Sequence, residues 1–217
     1  MSDILDYDNK VWRVLSKLAS TVILGVLWII CSIPLFTIGA SSTAFYYAYN
    51  KSVRQERGYA WQEFWEGFKT NFKQATKIWV PLLVFFVITL IDCFILHSMR
   101  ERYQLAGLFI VGLIVFLVIA LAWNLYIFPY LARFQNETKD VIKNAGLIAL
   151  ANLPWTMLLL VVFIVSAFVF FMFPVINILV PAIYIFVANR IQENVFRKYM
   201  TQEDLEREKE FLQHTKR

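Results

Sequence analysis

Polar and ionisable side chains set inside long apolar runs are where chemistry would have to reside, because a charge at the centre of a membrane helix costs about 2.5 to 3.5 kcal/mol even on the lenient insertion scale. Asp92 is the clear case, with Thr89 one turn below it and Arg100 above it as candidate partners. It reads either as a packing residue or as a ligand or proton site. Asn124 is the second, an amide placed to hydrogen-bond across helices, a contact worth about 1 kcal/mol. Asn189 and Arg190 close the last apolar run, where an anchoring arginine is ordinary. His97 has no second histidine or carboxylate at i+3 or i+4, which argues against a metal. Cys31 and Cys93 stand alone, without a CxxC or a histidine companion, and read as small buried side chains. The sequence contains no GxGxxG, Walker glycine loop, GxSxG or HExxH, so nothing points to nucleotide-driven or hydrolytic chemistry, and no cofactor is implied.

The elements that would hold these residues are membrane helices. Of the 217 residues, 59% are hydrophobic and the mean hydropathy is +0.56, more apolar mass than a water-soluble core needs. Crossing roughly 30 Å of hydrocarbon takes about 20 apolar residues in a helix. Spans are predicted at residues 18–36, 37–50, 78–97, 105–131, 153–173 and 175–195. The second is short, and crosses fully or is re-entrant. The last two form one apolar stretch, split at Pro174, Asn177 and Pro181. All six prolines are expected near span ends. The fold class is therefore all-α: a polytopic transmembrane bundle of about six spans in one domain, residues 1–200, followed by a charged cytoplasmic helix at 201–217. Thr201 with Asp204 fits a capping box opening that helix.

The net charge of +5 could signal nucleic acid in a soluble protein, but the positions of the cations point to lipid instead. If residues 37–50 cross and the N-terminus is cytoplasmic, only Arg100 and Arg102 of the 21 Lys and Arg fall outside. If they do not cross, Lys10, Arg13 and Lys17 move out as well. Both termini are therefore expected in the cytoplasm, and the acidic residues at 1–17 argue against a cleaved signal.

Two cytoplasmic amphipathic helices are expected to lie in the interface. In the first, Trp61, Phe64, Trp65, Phe68 and Phe72 share one face, which would rest in the acyl boundary or dock onto a partner subunit. The second, within residues 138–152, carries Val141, Ile142, Ala145, Ile148 and Ala149 on one side. Asn71 and Asn144 each precede a proline, Pro81 and Pro154, by ten residues, a weak sign of a duplicated unit of surface helix and hairpin.

The run from Cys31 through Pro34 and Gly39 to Ala44, the run from Phe64 to Thr76, and Lys143 to Leu147 continuing to Pro154 resemble the YesL family of bacterial membrane proteins, over about residues 5 to 200. The resemblance implies a multi-pass protein of a bacterial plasma membrane linked to carbohydrate uptake: a non-enzymatic accessory subunit beside an ABC permease, its ATPase or a solute-binding protein. The alternative reading of the residues is a stand-alone small-solute transporter or channel. We predict that reporter fusions or cysteine labelling will place residues 51–77 inside the cell and Arg100 outside; the reverse pattern would overturn the topology.

Overall fold

The computed structural model describes residues 10–99, 106–134 and 136–200, so the predicted C-terminal helix, with Arg100 and Arg102, lies outside the described residues. Among the described residues seven α-helices follow one another: α1 Lys10–Ser32, α2 Ile38–Ala48, α3 Ala60–Ser98, α4 Ala106–Arg133, α5 Thr138–Ala151, α6 Leu153–Met172 and α7 Val180–Phe196. No strand occurs among the described residues. The protein is an all-α helical membrane bundle.

α1 stops where Pro34 drives the preceding residue out of the helical region. A 3-10 turn, Leu35–Thr37, reverses the chain, and the Trp79 indole N–H donates to the Leu35 carbonyl at 2.7 Å, satisfying one of its free acceptors. α2 runs back toward the start of α1: Lys17 and Arg13 pair with Glu56 just past its end, at 2.7 and 4.0 Å. Glu56 sits at φ 56° and Gly58 at φ +67°, left-handed values that turn the chain into α3. α3 and α4 then run out and back, α5 packs against α4 and α6, and α6 and α7 form the last hairpin. The break at Pro174 falls where expected, with a 3-10 turn, Pro174–Ile176, before α7.

Among the described residues, four helices, α1, α3, α4 and α6, are long and apolar enough to cross a membrane, against the six spans expected. α2 and α7 fall short for a physical reason. Residues 39–41, 43–46 and 48 of α2 are buried, as is the polar second half of α7, so neighbouring helices rather than hydrocarbon surround them. A shielded helix need not meet the length or hydropathy of a lipid-facing one. Small residues let it pack closely. Gly39 lies against Trp79 and Phe128 where a Cβ would come within 2.6 Å of the Trp79 Cβ, and Gly67 and Gly146 receive the rings of Tyr47 and Trp123 in the same way.

Further expectations are corrected. The aromatic segment is not a separate interfacial helix but the first half of α3, a continuous 39-residue helix about 58 Å long at 1.5 Å per residue. Pro81 lies in its interior rather than at an end, and Pro129 lies inside α4. The second amphipathic helix exists as α5, but Val141, Ala145, Ile148 and Ala149 are buried against the bundle rather than laid in lipid. Cys31 and Cys93 are free and only half-buried.

Gly39→Val should cost about 1 to 3 kcal/mol through overpacking. Thermal unfolding in detergent checks this, and an unchanged midpoint would show that α2 does not sit as tightly as described.

Candidate functional site

The most deeply buried carboxylate among the described residues is one the sequence did not single out. Glu193, near the end of α7, is 3% exposed. Its Oε1 accepts from the Tyr46 hydroxyl at 2.8 Å and from Asn50 Nδ2 at 3.2 Å. Its Oε2 faces the guanidinium of Arg54, in direct ion-pair contact, and that of Arg133 at 3.6 Å. Arg54 also donates to Asn50 Oδ1 at 3.3 Å, which closes the network.

Local backbone geometry makes this convergence possible. Tyr46, Asn50 and Arg54 are spaced four apart, and in a pure α-helix each step drifts about 40° around the axis. From Tyr49 to Arg54 the chain widens into a π-helical turn, with Gln55 N–H donating to the Asn50 carbonyl at 3.0 Å. The wider turn offsets the drift and keeps the three side chains aimed at α7; π turns of this kind recur at functional positions. Aromatic rings seal the cluster: Phe196 packs edge-on against Tyr46, Tyr126, Tyr130 and Phe134, with centroids 5.8 to 6.3 Å away. Nearby, the Lys51 ammonium reaches Glu63 at 2.7 Å and Glu66 at 3.3 Å. Partial burial works against its charge, but bonds to Glu63 and Tyr47 prevail and hold the amine above its usual range.

Above this floor lies a half-open cavity of about 400 Å³ lined by α1, α2, α3, α4, α6 and α7. Aromatic rings make much of its wall, among them Trp28, Phe45, Trp79, Phe128 and Tyr184. No charged side chain lines it. Asn124 does, and its Oδ1 is buried without a hydrogen-bond partner among the described residues. Gln192 also lines it; its Nε2 donates to the Leu125 carbonyl at 2.9 Å, which leaves Oε1 as a second unmatched acceptor. Buried acceptors without a partner call for a donor, from water or from a ligand.

The residues singled out from sequence separate. Asn124 belongs to the cavity. Asp92 faces outward from the upper part of α3 and bonds to no described residue, while Thr89 turns its hydroxyl to the Phe85 carbonyl at 2.9 Å. Of the aromatic face, Phe64 is fully buried, Phe68 and Phe72 pack against the core, Trp65 is half-buried and Trp61 is exposed. The stripe serves α3's packing along α2, leaving Trp61 alone fully outward. Tyr46, Asn50, Arg54, Arg133, Gln192 and Glu193 were missed. The four-residue spacing of Tyr46, Asn50 and Arg54, and a glutamate five residues past an apolar run, were the available signals.

Residues 21–93, from within α1 into the upper half of α3, match the family described as Protein of unknown function, DUF624. The match supports kinship with a DUF624-type family over that segment, which contains Tyr46, Asn50 and Arg54. No curated protein and no solved structure matches the chain.

Removing one side of a buried ion pair leaves uncompensated charge. Glu193→Ala should therefore destabilise the protein by about 3 to 5 kcal/mol. Unfolding in mixed micelles tests this, and a loss below about 1 kcal/mol, the worth of an exposed pair, would contradict it.

Proposed function

We propose that this chain is a non-enzymatic membrane protein that holds a small uncharged molecule in its central cavity, as an accessory subunit of a carbohydrate ABC importer. The observation that carries the first part is the cavity wall: aromatic faces, no charge, and two unmatched amide oxygens at Asn124 and Gln192. Such a wall favours a neutral body bearing O–H or N–H donors, because a charged guest would lose its hydration with no counter-ion to meet it. The lining offers orientation and no activated nucleophile, which favours binding over catalysis. The link to carbohydrate import rests on the resemblance to YesL proteins, and the accessory role on that resemblance together with the lack of a permease-type coupling-loop pattern around Gly67 and Gly146 in the sequence. Lipid-facing surfaces of α3, α4 and α6 offer a partner permease a broad area to pack against.

A second reading, a stand-alone solute carrier, is favoured by the position of the cavity among six helices. Its route would pass Asn124 rather than Asp92, which faces outward.

Purification in mild detergent from cells grown on different sugars should retain a permease or ATPase; none under any sugar would count against the accessory role. Because Trp28 and Trp79 line the cavity, titration with glucose and maltose should change tryptophan emission, and Asn124→Leu should weaken that response by about tenfold, the loss of one hydrogen bond to a confined ligand. Uptake into proteoliposomes by the purified chain alone would favour the carrier.

A further inference from the structure

A groove of about 980 Å³ opens at the basic end between the first half of α3 and the link from α4 to α5. Lys73 and Lys77, one turn apart on α3, line one wall, and Lys139, in the first turn of α5, lines the other. None of the three ammonium groups has a carboxylate partner among the described residues. The acid on the α3 wall, Glu66, is occupied: it pairs with Lys51 at 3.3 Å and accepts from the Tyr47 hydroxyl at 3.3 Å. Glu137, at the start of α5, is the one lining carboxylate without a cation. Cations therefore outnumber open anions, and they come from two separate helices.

The groove is a formed feature. Gln74 donates from Nε2 to the Asn136 carbonyl at 2.9 Å, tying the α3 wall to the link before α5. Its depth is set by α3, since Lys77 immediately precedes Ile78, where the apolar half of the helix begins. Ammonium groups at that level lie in the headgroup layer, within reach of phosphates and below the acyl chains. A general bias of cations toward one side would scatter lysines around the rim. Here they converge on a single concavity, the arrangement by which basic pockets between membrane helices take lipid headgroups.

We propose that this groove binds the phosphate of an anionic phospholipid, with Lys73, Lys77 and Lys139 as its cationic contacts. The site is separate from the central cavity and does not depend on what that cavity holds. Its ligand arrives by lateral diffusion in the bilayer, so occupancy follows the anionic lipid content of the surrounding leaflet.

Native mass spectrometry of the full-length protein in mild detergent, titrated with phosphatidylglycerol or phosphatidylcholine, tests the proposal. Phosphatidylglycerol should bind about tenfold more tightly or better, with a preference that weakens as salt rises. The Lys73→Gln, Lys77→Gln, Lys139→Gln triple variant should lose that preference, whereas Lys69→Gln with Lys143→Gln, which lie off the groove, should keep it. Should the triple variant fail to fold, the salt titration of the unaltered protein and Lys77→Gln alone decide the matter. Equal binding of the two lipids, or an unchanged preference in the variant, would overturn the proposal. Displacement of phosphatidylglycerol by inorganic phosphate at equal concentration would also overturn it, assigning the groove to a free anion.

Discussion

A carboxylate removed from water survives as an ion only where cations and hydrogen-bond donors replace the water it leaves. Glu193, near the end of α7, meets that condition with four partners drawn from two other regions: α2 with the π turn that follows it, and the end of α4. None of these regions is adjacent to another in the chain, so the carboxylate fixes which helices share the basic end of the bundle. The aromatic ring cluster around Phe196 keeps the site dry, which raises both the strength of each contact and the penalty for losing one.

From that anchor the interior follows. α2 must pass through the middle of the bundle for Tyr46 and Asn50 to reach Glu193, and a helix in that position touches side chains on every face. Its run of Gly39, Ala40, Ser41, Ala44 and Ala48 permits the approach of α1, α3 and α4. Where the larger rings of Trp28, Phe45 and Trp79 stop short of α6 and α7, the cavity remains. Glu193, Gln192 and Asn189 stand on the same stretch of α7, so one short segment carries both the charge anchor and part of the cavity floor.

Much of this was legible in residues. The lipid-exposed stretches of α1, α4 and α6 announce themselves by unbroken apolarity, the α6–α7 turn by Pro174 and Pro181, and α5 by the spacing of Val141, Ala145 and Ile148. The continuity of α3 was hidden because a change from amphipathic to fully apolar patterning, followed by Pro81, looks like a boundary. The helix passes through it, at the cost of one backbone donor near the headgroup level. The charge site was hidden for a different reason. Asp92 drew notice as an isolated carboxylate in an apolar run, whereas Glu193 lies among Asn189, Arg190 and Gln192 and resembles an ordinary polar span end. Its burial comes from α2 and α4, far away in sequence, and the π turn that aligns Arg54 carries no composition signal of its own.

The central claim is that Arg54 and Glu193 are energetically one unit across the bundle. A double-mutant cycle built from Arg54→Met, Glu193→Leu and the pair, read by unfolding in mixed micelles, measures this directly. The account predicts that the double variant is less damaged than the two single losses combined, with a coupling of about 2 to 3 kcal/mol. Additivity within about 0.5 kcal/mol would contradict it.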